Sequence, residues 1–215
     1  LKTLYDTSET HVYTIVINSS DATGSTAAEF NTINNATSVP VSLENVTALA
    51  SSSLSNLGTL ATDIQAGEFS NATGLTTIAV SDANIDGAVL LARIDSFDNI
   101  NGGGTTNMTM PSGAMVNLSS ESEVDELLRD ETDSRLTIDD HHVTVDTNTI
   151  SVGRANLLAA TTTGTVTASI TTTESVDSLK TLYDTSETHA YTIVINSSDA
   201  TGSTAAEFNT INNAT

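Results

Sequence analysis

Residues 1–37 read LKTLYDTSETHVYTIVINSSDATGSTAAEFNTINNAT, and residues 179–215 read LKTLYDTSETHAYTIVINSSDATGSTAAEFNTINNAT. The two segments match at 36 of 37 positions and differ only where Val12 corresponds to Ala190. They are offset by 178 residues, so residues 1–178 form one full period and residues 179–215 form the first part of the next. Repetition at a fixed period is a stronger indicator of architecture than any local pattern, and it predicts a tandem repeat.

The ends of the chain fit a tandem array. The first residue is Leu1 rather than a methionine, and the last residue lies inside a repeated segment. We therefore expect the chain to be a window of a longer tandem array.

Short runs of alternating β-branched and polar residues recur within the period. This alternation at every second residue predicts β-strands. The runs begin about every 30 residues, and six of them fill one period before the seventh repeats the first: Tyr13, Val39, Leu75, Thr105, Leu136, Val166 and Tyr191. A spacing of this size is typical of the coils of solenoid proteins.

Helical patterns lie between the predicted strands. Apolar residues spaced by three or four put a narrow apolar stripe on one helix face, as in Leu54, Leu57 and Leu60, in Leu90, Ile94 and Phe97, in Val124, Leu127 and Leu128, and in Val176, Leu179, Leu182 and Tyr183. Capping boxes, in which a hydroxyl and a carboxylate satisfy the first helical amides, are predicted for Thr26 with Glu29, Ser120 with Glu123 and Thr171 with Glu174.

These patterns together predict an α/β repeat. We expect a solenoid of roughly 30-residue coils, each a strand, a loop and a short helix, with a parallel sheet and six coils in each 178-residue period. Two alternatives remain open, namely a pure β-solenoid and a string of separate α/β domains.

The composition narrows the classes of partner. The chain has 27 acidic and 6 basic residues and a formal net charge of −21, so its surface repels nucleic acid and anionic membranes. No run of 18 apolar residues is present, so we expect no membrane insertion. Cysteine is absent, which excludes disulfides and thiolate metal sites.

Candidate metal ligands occur in three places. Asp139, Asp140, His141 and His142 are adjacent, but neighbours in a strand point to opposite faces, so a solvated strand edge is the favoured interpretation. The segment Asp95–Gly104 suggests a calcium loop, although its register does not fit the EF-hand and a turn is favoured. His11 and His189 occupy equivalent repeat positions just before a strand.

The sequence contains no arrangement that fulfils the geometric roles of catalysis, so the prediction is that the protein is not an enzyme and holds no cofactor. N-glycosylation motifs are the remaining candidate sites. The candidate acceptors are Asn18, Asn45, Asn71, Asn107 and Asn117.

Two resemblances follow from these residues. The run Leu75-Thr-Thr-Ile78-Ala-Val80 is similar to the LxxLxL core of leucine-rich repeats. In its acidic, hydroxyl-rich composition and its long, nearly identical repeats, the chain resembles the giant repetitive cell-surface proteins of marine bacteria, including motile cyanobacteria. This second resemblance implies an extracellular or cell-surface location and a structural or adhesive role.

The functional prediction is a non-catalytic structural protein, namely a repeat segment of an extracellular filament, surface layer or matrix fibre. Its expected partners are neighbouring copies of itself along the fibre. The alternative is an adhesin stalk or a repeat module that binds calcium or glycans, for which the threonine-rich face of Thr165, Thr167 and Ser169 could contact polysaccharide.

Overall fold

The computed structural model describes residues 12–22, 24–183 and 189–214. Short parallel strands alternate with helices along the chain, which confirms the predicted α/β class and the parallel sheets. The helices contradict the alternative of a pure β-solenoid. His11 lies outside the described residues.

The secondary-structure elements are short and closely spaced. The helices are α1 (Ser19–Ala22), α2 (Ala27–Asn34), α3 (Leu54–Gln65), α4 (Gly87–Ile100), α5 (Glu121–Thr132), α6 (Val152–Thr161), α7 (Val176–Leu179), α8 (Ser197–Ala200) and α9 (Ala205–Asn213), with a 3₁₀ turn at Ala72–Gly74. The strands are β1 (Val41–Ser42), β2 (Ala48–Ser52), β3 (Phe69–Ser70), β4 (Thr77–Val80), β5 (Asn84–Asp86), β6 (Asn107–Thr109), β7 (Met115–Leu118), β8 (His142–Ile150), β9 (Val166–Ile170) and β10 (Ala190–Thr192).

The chain divides into two compact units. The described part of the first unit comprises residues 12–82, Val89–Pro111 and Asp133–Thr137. It holds a parallel β1-β3 pair and a parallel sheet of order β2-β4-β6. Single parallel bridges join Val16 to Ser42 and Met108 to Leu136, so each extends one of these two sheets.

The second unit is built on one five-stranded sheet. The described part of this unit comprises Ala83–Ala88, Ser112–Thr132 and residues 138–214. Its strand order is β5-β7-β8-β9-β10, and every neighbouring pair is parallel. Each strand therefore pairs with the next strand of the unit along the chain, so the hydrogen-bond ladder rises in sequence order.

The predicted apolar stripes form the inner faces of the helices. The side chains that are buried are Leu54, Leu57 and Leu60 on α3, Leu90, Ile94 and Phe97 on α4, and Val124 and Leu127 on α5. Among the described residues, no helix combines the length and the apolar character needed to cross a membrane.

The capping boxes were predicted with mixed success. The box of Thr26 and Glu29 is confirmed at the start of α2. The box of Thr171 and Glu174 is wrong, because the N-cap of α7 is Ser175, whose hydroxyl accepts the amide of Ser178. Glu174 instead accepts the amide of Val152 at the start of α6.

Two strand predictions also need correction. The run at Tyr13 forms only the bridge at Val16, and the run at Leu136 forms a bridge before β8 begins at His142. The prediction of one strand per 30 residues is wrong, since β2, β5 and β7 form as well. These strands have three to five residues, which is too short for alternation to be distinguished from loop sequence.

Candidate assembly interface

The repeated segment occurs twice with different neighbours, so its two copies can be compared directly. The N-terminal copy is described over residues 12–22 and 24–37, and the C-terminal copy over residues 179–183 and 189–214. Because the two sequences are nearly identical, any difference in side-chain burial between them reports the neighbouring residues rather than the segment.

The helix of each copy presents the same face in two environments. In α2 the side chain of Phe30 is 1% exposed, and Ala27 is fully buried. The equivalent residues of α9 differ, because Phe208 is only half-buried and Ala205 is exposed. The face of α2 is covered by the helix that follows it, α3.

Polar side chains of this helix show the same contrast. Asn31 is buried and donates a hydrogen bond from Nδ2 to the backbone carbonyl of Asn56 in α3, over 3.2 Å. Its counterpart Asn209 is exposed. The helix–helix contact therefore includes a specific hydrogen bond as well as apolar burial.

The strand region of the copies differs in the same direction. Ile15 and Ile17 are buried, and their backbones exchange hydrogen bonds of 2.8 and 2.9 Å with Ser42 in the next strand. Ile193 and Ile195, their counterparts in the C-terminal copy, are half-buried. The C-terminal copy therefore lacks the neighbour that follows the N-terminal copy.

The opposite edge of the segment shows the reverse contrast. Tyr13 is 40% exposed, whereas its counterpart Tyr191 is 7% exposed and pairs with Ala168 of β9. Burial raises the pKa of the Tyr191 phenol to about 12, because removal from water disfavours the phenolate. The tyrosine ring also lies 5.8 Å from that of His189. The segment thus has two distinct faces, one covered in each copy.

Helix starts are capped by side chains from later in the chain. The first amides of a helix have no partner inside the helix, and here several donate to side chains that follow by 22 to 28 residues. These bonds join the Ala27 amide to Ser52 Oγ (2.9 Å), the Leu54 amide to Asp82 Oδ2 (2.8 Å) and the Val152 amide to Glu174 Oε1 (2.9 Å). Successive helices are therefore coupled by hydrogen bonds at their N-termini.

An ion pair ties the C-terminal copy to its own start. Lys180 Nζ lies 2.7 Å from Glu207 Oε1 and 2.6 Å from Asp177 Oδ1. The Lys180 ammonium, followed by the amide and hydroxyl of Thr204, lowers the pKa of Glu207 to about 2. Glu207 therefore stays ionised while it caps α9.

Three predicted glycosylation sites use their amide nitrogen to bridge residues about 30 positions apart. The donors and acceptors are Asn71 Nδ2 to Ser42 Oγ (2.9 Å), Asn107 Nδ2 to the Ser134 carbonyl (2.9 Å) and Asn117 Nδ2 to Asn84 Oδ1 (2.6 Å). A glycan is attached at this nitrogen, so modification would compete with the bridge.

The other two predicted acceptors have different settings. Asn18 is exposed, and its Oδ1 accepts from the amide of Ser20 over 3.1 Å. Asn45 is exposed and adopts a left-handed backbone with φ of 62°, a conformation that asparagine tolerates in turns. Glycosylation stays a prediction at all five asparagines.

The Asp139–His142 cluster does not converge on one point. His141 is buried, and its Nδ1 lies 2.7 Å from Oδ1 of Asp140. Asp140 also accepts the hydroxyl of Ser112, which lowers the pKa of this carboxyl. His142 Nδ1 accepts the amide of Thr165 over 3.0 Å. These side chains organise the start of β8 rather than a metal site.

His189 has the same structural role as His142. It is buried, and its Nδ1 accepts the amide of Val166 over 3.2 Å. An acceptor nitrogen of this kind belongs to a neutral imidazole. Across the part of the chain that the structure describes, no three His, Cys, Asp or Glu side chains are grouped so that they could hold a metal ion.

The Asp95–Gly104 segment is a helix end and turn held by a salt bridge. Asp98 is buried, and its Oδ1 accepts the amide of Thr106 over 2.8 Å. Arg135 Nε lies 3.0 Å from Oδ2 of Asp98 and its Nη1 lies 3.9 Å from Asp95. A guanidinium therefore occupies the place that a calcium ion would need.

An open cavity of about 350 Å³ lies beside the covered face of the N-terminal copy. It is lined by residues within 34–40 and 66–68, and Glu68 is the one ionisable residue among them. Asn34 donates to the carboxylate of Glu68. Nearby, burial and then the charge of Glu68 raise the pKa of Asp63. The lining pairs no nucleophile with a base.

Comparison of the chain with protein-family models, with curated proteins and with solved structures finds no match. The assignment of a function therefore depends on the geometry described above.

Proposed function

We propose that this chain is a non-catalytic structural element, a repeat segment of an extracellular or cell-surface filament, surface layer or matrix fibre. The observation that carries the proposal is that one nearly identical segment buries opposite faces in its two copies. A segment placed inside an array would have both faces covered, so each copy would gain its full stability from neighbours of the same kind.

The proposed architecture is a solenoid with six coils in each 178-residue period. Parallel pairing at nearly constant separation supports it within each unit. In the first unit Leu49, Ile78, Met108 and Leu136 follow one another at separations of 29, 30 and 28 residues. In the second unit Ile85, Val116, Val143 and Val166 follow at 31, 27 and 23 residues.

Stacking of this kind explains how the chain could bear load. In a repeat array each unit contacts only its neighbours, so stability and mechanical continuity come from the same interfaces. The interfaces here combine apolar burial with strand hydrogen bonds and helix caps. The formal charge of −21 keeps neighbouring fibres apart until salt screens them.

Electron microscopy of the native material with helical analysis tests the proposal. Strands in a sheet are spaced by about 4.8 Å, so six coils would advance about 29 Å along the fibre axis per period. We expect a continuous filament with an axial repeat near that length. Globular beads joined by flexible linkers would overturn the proposal and favour an adhesin stalk.

A further inference from the structure

We propose that the uncovered face of the C-terminal copy, formed by Ile193, Ile195 and α9, is a docking surface for a second copy of the segment Ser38–Glu68. The inference rests on the proposed function and deepens it, because it names the partner and the residues through which one period joins the next.

The N-terminal copy shows how this partner binds. Within Ser38–Glu68, β1 contributes Ser42, whose backbone hydrogen-bonds with those of Ile15 and Ile17 over 2.8 to 2.9 Å. The same segment contributes α3, which covers the face of α2 that contains Phe30. Strand pairing and helix packing are therefore supplied by one contiguous segment.

Polar contacts make the interface specific. Ser52 Oγ accepts the first amide of α2, from Ala27, over 2.9 Å. The carbonyl of Asn56 accepts Asn31 Nδ2 over 3.2 Å, and Glu68 accepts Asn34 Nδ2. A partner without these acceptors at these positions would leave buried donors unsatisfied, which is costly.

The C-terminal copy already has the conformation that this partner needs. The N-cap residue of α9, Thr204, has φ −97° and ψ 157°, compared with −94° and 160° for Thr26 at α2. Both helices carry the same capping box. Because the surface is preorganised, docking requires no rearrangement of the copy, and this lowers the entropic cost of binding.

The chain has no cysteine, so one introduced thiol reports the accessibility of one site. Two neighbouring positions on α9 form a matched pair. Asn209 is exposed but its counterpart Asn31 is buried, whereas Thr210 and its counterpart Thr32 are both exposed. Docking of the proposed partner should therefore protect a cysteine at position 209 and leave a cysteine at position 210 accessible.

The experiment compares the full chain with a variant that carries a second Ser38–Glu68 segment directly after Thr215. We expect the reaction of Asn209→Cys with a thiol reagent to slow by at least about tenfold in the extended variant, because the thiol then reacts only through local opening. Thr210→Cys should react at the same rate in both chains. An extension whose added segment carries Leu57→Asp should fail to protect Asn209→Cys.

Two results would overturn the inference. One is an unchanged reaction rate for Asn209→Cys in the extended variant. The other is protection of that thiol in the unextended chain together with a dimer in light scattering, since a second whole chain would then be the occupant.

The docking surface and the proposed function can fail separately. If the extension does not protect the thiol while native material still forms a continuous filament, the docking surface is wrong and the proposed function stands. If the extension protects the thiol while native material forms separate beads, the docking surface stands and the proposed function is wrong.

Discussion

Replacement of Phe30 and of Phe208 by alanine should have very different effects, although the two residues occupy equivalent positions. Phe30 is 1% exposed and fully enclosed between its own segment and α3. Phe208 is half-buried, because nothing in the described part of the chain covers the outer face of α9. The two helices and their N-caps have the same sequence, so helix propensity and capping cancel in the comparison.

The magnitude follows from the burial. Truncation of a fully buried phenylalanine to alanine costs about 3–5 kcal/mol, because both apolar transfer and the remaining cavity contribute. For a half-buried ring on an open surface, roughly half of the transfer free energy and little cavity cost apply, which gives about 1–2 kcal/mol. We therefore expect Phe30→Ala to be more destabilising than Phe208→Ala by about 2 kcal/mol or more.

Equilibrium unfolding in urea, followed by far-ultraviolet circular dichroism because the chain has no tryptophan, measures this difference. The slope of stability against urea is about 1–3 kcal/mol per molar, so Phe30→Ala should lower the midpoint of its unit by about 2 M. The control pair is Thr32→Ala and Thr210→Ala, both exposed. Equal losses from the two phenylalanine variants would refute the claim that a following segment covers only the N-terminal copy.

Three further predictions concern protonation and packing. Unfolded tyrosine ionises near pH 10 while Tyr191 holds its proton until about 12, so stability should fall between these values and ultraviolet titration should show one late phenol that Tyr191→Phe removes. The pKa of Glu207, about 2 when folded, lies below its ordinary value of 4.5, so its stabilising effect holds above about pH 4.5 and is lost as pH falls towards 2; Lys180→Met should flatten the melting temperature in that window. A Cβ on Gly164 would lie 2.5 Å from a backbone carbonyl carbon of the neighbouring coil, so Gly164→Ala should cost about 1–3 kcal/mol, whereas Gly153→Ala in α6 meets no atom closer than 4.0 Å and should stabilise by about 0.5–1 kcal/mol in thermal melts.

The helices were largely predictable from the sequence because their signal extends over several turns. The stripe of Leu54, Leu57 and Leu60 predicted α3, and all three side chains are buried as expected. The box of Thr26 and Glu29 also predicted the start of α2. By contrast, β2 and β5 are strands of five and three residues. What selects them is pairing with residues about 30 positions away, which a local pattern does not report.

The histidines show why a candidate site differs from a site. In the sequence, His141 and His142 beside two aspartates have the composition of a ligand cluster. In the structure His142 accepts a backbone amide at Nδ1, and its neighbour lies buried against a carboxylate. The signal available in sequence was the alternation of strand faces, which separates adjacent side chains. The use of an imidazole as an amide acceptor depends on register and was not predictable.

The two faces of the repeated segment differ from each other, and this determines what kind of assembly they support. The face that contains Phe30 binds the segment that follows it, and the edge that contains Tyr191 binds the strand that precedes it. Such an interface is heterologous, and a heterologous contact closes into a ring only if its rotation allows closure, and otherwise extends without limit. An exposed strand edge also tends to recruit another strand. A chain whose period ends in the same segment with which it begins therefore offers a new face after every period, so we expect growth to continue until a different sequence covers that face.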